Sequence, residues 1–479
     1  MSALITLLAL PLAGALATVA APRRGVVIAG AVVLASVVAL ALLIGQMTGT
    51  GVVRVAPGGW GAPLGIVLEA DGLAVVFMVL ALAVMAGVFA LAAAMPGLPA
   101  PFWPLAMLAW AALNAIFVSR DLFNLYVGLE LLTLVAVALV ATGGDKALGA
   151  ALRYLFFALS GSILYLAGVV LTYATHGVLD IALLAAAPRA PTDTLAMALM
   201  SVGLLIKTAL FPFHVWLPPA HAAAPAPASA MLSALVPKAS FVILLRLWFE
   251  AMPGAADARL LLMLGALGAL AVVHGGILAL RQGRLKQIIA YSTVAQIGYL
   301  FLVFPLAGGD SVAQPWAAGA WSGVVFQALG HGLAKASMFL CAGLWIVAVG
   351  SDRLEALRGL ARALPMTAMA FAIAAVTLVG LPPSGGFTAK YLMMTTAFAS
   401  GQAGWGLVLL GGGLLAGAYL YRPMAALFAR ETPEFTPVPR ALQAVPLVLA
   451  LLAVAMGLLS DGIYGFVQIG RPGAAEAGL

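Results

Sequence analysis

Residues 204–231 read LLIKTALFPFHVWLPPAHAAAPAPASAM, an apolar run of bilayer length that its own prolines keep from forming one continuous helix. Pro212 removes a backbone donor and clashes with the preceding turn, and Pro218, Pro219, Pro225 and Pro227 prevent a simple resumption. Residues 377–390, TLVGLPPSGGFTAK, are broken in the same way by Gly380, Pro382, Pro383, Gly385 and Gly386. Backbone groups freed at membrane depth are tolerated only inside protein or against a water-filled cavity. Both stretches therefore predict wet interior, each with a lysine alongside: Lys207 before the first break and Lys390 after the second, 183 positions apart. Two Gly/Pro-broken helices at matching places point to an internally repeated transporter.

The composition agrees. Of 479 residues, 64% are hydrophobic and 8% charged, and the mean hydropathy is +1.13, far from a soluble domain. The chain reads as an all-α polytopic membrane protein. Its first apolar run, Ser2 to Ala21, has no basic segment before it and Arg23 and Arg24 after it, so it reads as a first span and not as a cleavable signal. The single cysteine, Cys341, lies in an apolar run and reads as a packing residue, with no disulfide framework or thiolate cage.

Apolar stretches of spanning length begin near Ser2, Gly25, Gly72, Pro101, Asp121, Ala150, Thr194, Ala228, Arg259, Leu285, Ala318, Met366, Gly404 and Ala441. That predicts about 14 transmembrane helices, with residues 317–350 and the proline-broken stretch 194–227 each read as one long or interrupted helix. Residues 1–100 would form three N-terminal helices, 101–421 a core with helices four to eight and nine to thirteen as inverted five-helix repeats, and 422–479 a last helix and tail. The net charge of +7 follows from topology and does not ask for a nucleic-acid partner. Arg23, Arg24, Lys146, Arg153, Arg281, Arg284, Lys286, Arg353, Arg358, Arg362, Arg422, Arg430 and Arg440 fall on one face; Arg54, Arg120, Arg189, Arg246, Arg259 and Arg471 fall on the other. The positive-inside rule makes the first face cytoplasmic and puts both termini outside a cell (inner, plasma) membrane.

Five ionisable side chains then remain inside the spans: Glu130, Lys207, Lys238, Lys335 and Lys390. At about 2.5–3.5 kcal/mol each, unpaired, they would cost on the order of 12–18 kcal/mol. Such a cost points to function. If Glu130 approaches Lys207, each charge stabilises the other; neutralising Glu130 leaves the lysine without a counter-ion and inclines it to release its proton. Lys238 follows Pro237 and would instead snorkel if its helix began later. Lys335 lies one turn from His331, one of the two as relay member and the other as its support. His214 and His221 flank the first break as proton-entry groups or polar plugs. His274, alone in an apolar helix, is expected to bond a neighbouring backbone group. Tyr291, Ser292 and Gln296 would hydrate the relay or join helices. The GGGLLAG run at Gly411 follows no strand, so it reads as close helix packing and not as a nucleotide loop.

Six ordered motifs carry a resemblance. RDLFNLYVGLELLTL with Glu130, LIKTALFPFHVWLPPAH with Lys207 and His214, LVPKAS with Lys238, LKQIIAYSTVAQIGY, GHGLAKASMFL with His331 and Lys335, and GLPPSGGFTAK with Lys390 resemble the antiporter-like subunits. That family unites the D subunit of Mrp-type Na+/H+ antiporters, the proton-pumping membrane subunits of respiratory complex I, and their counterparts in membrane-bound hydrogenases. The resemblance runs from about Phe102 to Tyr421. It implies a modulating pair at Glu130 and Lys207, a central relay at Lys238 and a terminal site at Lys390. Lysine at 390 is similar to the Mrp D subunit and some complex I subunits, whereas the FPFHVWLP run is more similar to complex I and hydrogenase subunits. Pro219 stands where family members usually have Asp.

The functional expectation is a proton-translocating subunit exchanging Na+ or another monovalent cation for protons, with other membrane subunits as partners. The alternative is a proton-pumping subunit of an NADH:quinone oxidoreductase or hydrogenase complex. With no GxGxxG turn, no cysteine cluster and no histidine pair placed for haem, the chain is expected to hold no metal, cofactor or redox centre of its own. A passive channel is disfavoured, because relay lysines replace the continuous polar lining such a pore needs.

Overall fold

The computed structural model describes residues 2–473 apart from 96, 254, 256, 310–313, 432 and 433. Two helices, α1 (Ala3–Ala20) and α2 (Gly25–Thr50), lead into a small antiparallel hairpin, β1 (Val53–Val55) and β2 (Leu68–Ala70), paired Val53 to Ala70. Helices α3 (Gly72–Ala92), α4 (Phe102–Val118), α5 (Leu122–Ala141) and α6 (Asp145–His176) follow. Short α7 (Ile181–Ala186) precedes α8 (Asp193–Thr208) and α9 (Leu217–Ala223), the two halves of the first broken span. Next come α10 (Ala226–Arg246), α11 (Ala258–Arg281), α12 (Leu285–Leu300), α13 (Val303–Ala307) and the 35-residue α14 (Pro315–Val349). Short α15 (Leu360–Ala363) leads to the second broken pair, α16 (Pro365–Val379) and α17 (Gly385–Ala399), then α18 (Gly404–Leu427), α19 (Arg440–Leu458) and α20 (Ser460–Val467).

Among the described residues, 12 helices are long and apolar enough to cross a membrane, and two shorter apolar helices occupy 102–118 and 365–379. The chain is a multi-pass membrane protein. Its helices start where the sequence offers caps. The carboxylate of Asp71 accepts from the Ala74 amide at 2.8 Å, that of Asp121 from the Asn124 amide at 2.8 Å, and the hydroxyl of Ser384 from the Phe387 amide at 3.2 Å. Helices α6, α14 and α16 end on left-handed Gly177, Gly350 and Gly380.

Every residue of α10 is buried, and α14 is buried over most of its length. Around these, α1, α2 and α18 turn Leu16, Val27, Leu34, Leu407 and Leu414 outward, as lipid-facing helices do. Without a hydrophobic drive between helices in lipid, packing depends on close approach. Gly161 of α6 and Gly203 of α8 supply it: a Cβ on either would lie 2.7 or 2.4 Å from the other's carbonyl oxygen. Gly268 of α11 and Gly298 of α12 repeat the device.

The breaks lie where the prolines put them. α8 ends at Thr208, Ala209 takes a left-handed φ of 58°, and residues 213–216 form a 3-10 turn before α9. Pro237 breaks nothing: it sits inside α10, so Lys238 is a mid-helix residue in the core and not a snorkelling terminal one.

Candidate functional site

Lys207 on the last turn of α8 meets Glu130 in the middle of α5. Its ammonium donates to Glu130 Oε1 at 3.0 Å and to the Thr133 hydroxyl at 2.8 Å. The Ser162 hydroxyl on α6 donates to the same carboxylate oxygen. The lysine side chain is 5% exposed and the glutamate 20%, so the acid is the less enclosed of the two. A cavity of about 10 Å³, space for one water, is lined by Lys207 and Thr133 together with Val236 and Ser240 of α10. Thr208 donates to Ser240 at 2.9 Å, two residues beyond Lys238.

Lys238 is wholly buried and donates to the Ser233 carbonyl at 2.7 Å. That carbonyl is free because Pro237 has no N–H to return to it. Ser233 in turn bonds Thr293 of α12 at 2.8 Å. Lys335, also wholly buried, donates to the Ile289 carbonyl at 3.0 Å and to the Ser292 hydroxyl. His331, one turn away on α14, has neither ring nitrogen hydrogen-bonded, and His221 beside the first break is in the same position. Lys238, Lys335, His331 and His221 lie near enough for their charges to act on one another. The two imidazoles are therefore the groups of this cluster whose hydrogen-bonding capacity is wholly open. Buried polar atoms in this condition call for water as partner.

At the second break, Lys390 of α17 donates to the carbonyl of Val379, the last residue of α16, at 2.7 Å. Its ammonium lies 4.8 Å from the ring centroid of Tyr299, a cation–π contact. The six candidates thus line the interior in three groups: the pair Glu130 and Lys207, the cluster of Lys238, His331 and Lys335, and Lys390 at the break of α16 and α17.

Several charged residues depart from the sequence reading. Lys286, counted as a loop charge, is 5% exposed and donates to the carbonyls of Ala222 and Ala224 at the first break. Arg246, also counted in a loop, is buried at the end of α10 and makes a bidentate contact with Asp71 at 2.5 and 2.8 Å. Glu250 lies 2.6 Å from Arg246 and contacts Arg120, and Glu69 joins Arg120 to Arg54. This alternating chain ties the N-terminus of α3 and the start of α5 to the end of α10. The i,i+4 spacing of Arg246 and Glu250 was its sequence signal. His274 is not alone: its ring packs 4.9 Å from that of His214 and 5.0 Å from Phe211.

Among the described residues, no group of three or more His, Cys, Asp or Glu side chains is placed to hold a metal ion. The family model for NADH:quinone oxidoreductase/Mrp antiporter, TM, matches residues 119–416. The chain belongs to this family. All six candidate residues of this antiporter-like protein lie within the match. The NADH-quinone oxidoreductase subunit N of Desulforudis audaxviator is 35% identical over 438 residues, 85% of each chain. The Na(+)/H(+) antiporter D subunit of Alkalihalophilus pseudofirmus is 29% identical over 428 residues, 85% of this chain and 83% of its own. A chain in the solved Mrp complex from Dietzia sp. DQ12-45-1b superposes with a TM-score of 0.90 at 25% identity, covering 100% of this chain and 97% of that one. The relatives fall under two named activities, so they do not favour the Mrp-type expectation over its alternative.

Proposed function

We propose that this chain is the proton-translocating subunit of a multisubunit membrane complex, moving protons through the relay of Glu130, Lys207, Lys238, His331 or Lys335, and Lys390. The observation that carries the proposal is the 3.0 Å ion pair of Lys207 and Glu130 within apolar helices. At an effective dielectric of 20, charges that close attract by about 5 kcal/mol. Burying a charge costs several kcal/mol. The two quantities are of the same order, so the lysine's charge depends on the state of the acid. A proton or cation that neutralises Glu130 sends the Lys207 proton inward, past Ser240 to Lys238; from there His331 or Lys335 passes charge toward Lys390. The partners are other membrane subunits, since the relatives are named as subunits of larger assemblies.

In this reading the 12 long helices and two shorter ones give fourteen spans, the core 101–421 is built of two inverted five-helix repeats, and both termini face outward from the cell membrane. Exchange of Na+ or another monovalent cation for protons, as in an Mrp-type antiporter, is the first form of the activity. The second, a redox-driven pump, is supported by the 35% identity to an NADH-quinone oxidoreductase subunit N. Vesicles holding the protein with its natural partners separate them. Collapse of a pH gradient on adding Na+, Li+ or K+ supports exchange; pumping that needs a reduced donor and quinone, with no cation requirement, supports the second form. Absence of proton movement in both modes overturns the proposal.

A further inference from the structure

Between Lys335 and Lys390 runs a line of side chains on α12 that the relay as described does not use. Ser292, Gln296 and Tyr299 stand at i, i+4 and i+7, one face of the helix, spanning about 10 Å of its axis. The first accepts from Lys335 and the last lies under the ammonium of Lys390. Gln296 between them is 1% exposed and fully engaged. Its oxygen accepts from Gln327 of α14 at 2.8 Å, and its nitrogen donates to the Leu378 carbonyl at 3.1 Å and the Tyr419 hydroxyl at 3.4 Å.

Leu378 and Val379 are the last two residues of α16, whose terminal carbonyls have no partner in the helix. Gln296 takes the first and Lys390 the second. The amide and the terminal ammonium therefore grip adjacent carbonyls of one broken helix end. A carboxamide is donor and acceptor but does not titrate, so Gln296 cannot receive a proton and pass it on; it can only obstruct or admit the groups that do.

The glycine run of α18 completes the arrangement. A Cβ on Gly412 would lie 2.1 Å from the Tyr299 hydroxyl oxygen, and one on Gly413 would lie 3.0 Å from the Lys390 ammonium. The run is the seat of the tyrosine and lysine as well as a packing surface.

We propose that the hydrogen-bonded pair Gln296 and Gln327 gates proton transfer from Lys335 to Lys390, and that Tyr299, seated against Gly412, positions the Lys390 ammonium. The gate is shut while protonated Lys390 holds the Val379 carbonyl. When Lys390 is a neutral amine that hold weakens, the end of α16 relaxes, and the amide swings off Leu378. One proton then leaves the Lys335 ammonium and one is gained by the Lys390 amine, so a proton advances only to an empty site. The proposal rests on the relay reading above.

The test compares variants of the natural complex in sealed vesicles, following proton transport and passive proton leak. Gln296→Leu puts an apolar plug of similar size in the path and is expected to cut transport about tenfold, an effect worth 1.4 kcal/mol. Gln296→Ala or Gln327→Ala opens the gate and is expected to raise the leak instead. Tyr299→Leu removes the cation–π contact and lowers transport about tenfold, whereas Tyr299→Phe retains the ring under Lys390 and is expected to transport more than Tyr299→Leu. Equal losses in Gln296→Leu and Gln296→Ala without leak would mean a merely structural amide and overturn the gate. So would wild-type behaviour of the glutamine variants alongside loss of transport in Lys390→Ala. Normal transport in Lys390→Ala would instead overturn the relay itself.

Discussion

The ammonium of Lys238 donates to the carbonyl of Ser233, 2.7 Å away, five residues earlier on the same helix. In an unbroken helix that oxygen would belong to the amide of residue 237, which is a proline here. The proline thus supplies a buried lysine with a polar partner while the helix runs on. Pro237→Ala returns an amide to that oxygen and leaves Lys238 competing for it. Proton transport is expected to fall several-fold, with thermal stability of the complex unchanged or raised. Unchanged transport would separate the central lysine from its local helix chemistry.

The contact of Lys207 with Glu130 depends on how closely α8 lies on α6. A Cβ on Gly203 would meet the Gly161 carbonyl oxygen at 2.4 Å and the Tyr165 amide nitrogen at 2.8 Å, both backbone atoms that cannot swing aside. Gly203→Ala is expected to cost about 1–3 kcal/mol and to lower transport by displacing Lys207, one turn further along α8. Melting of the purified complex and a vesicle transport assay read the two effects.

Arg246 is expected to matter for stability and not for conduction. Its guanidinium serves Asp71 and Glu250 together, and truncating it takes the bidentate partner from buried Asp71 while Glu250 keeps only Arg120. Removing one partner of such a buried group costs about 3–5 kcal/mol. Arg246→Met should therefore lower the melting temperature well beyond Lys335→Met, while any complex that assembles conducts protons.

The pair Arg358 and Glu431 is a control outside the spans. A hydrogen bond from Arg358 holds the Glu431 carboxyl below its ordinary value. A depressed carboxylate contributes at neutral pH and loses its contribution as pH falls through the depressed value. Both side chains are about half exposed, where such pairs contribute little. Arg358→Ala is expected to leave transport at neutral pH unchanged, and any difference in stability from wild type should vanish in acid.

The spans and both breaks are legible because apolar runs and prolines act locally. The starts read at Gly72, Leu285 and Gly404 coincide with those of α3, α12 and α18, and the stretch 317–350 is one long helix, α14. What depends on distant partners is not legible. Asp71 finds Arg246 across 175 positions, and Lys286, beside a loop arginine, turns inward to carbonyls at the end of α9, where the helix supplies no amide to them. The hairpin strands of three residues are too short for an alternating pattern. The use of Pro237 by Lys238 is not legible either, because the Ser233 carbonyl that the proline frees is matched to the lysine only in the folded helix. His274 reads as isolated for the same reason, its neighbours Phe211 and His214 lying on the turn after α8.

The central claim is that protons move because Glu130 controls the charge on Lys207. Proton transport by the complex in sealed, energised vesicles, reported by a pH-gradient dye, tests it with Glu130→Gln, Glu130→Asp and Lys207→Ala. The account predicts loss of transport in Glu130→Gln and Lys207→Ala and partial activity in Glu130→Asp, with all three complexes assembled. Full transport in Glu130→Gln and Lys207→Ala would contradict it.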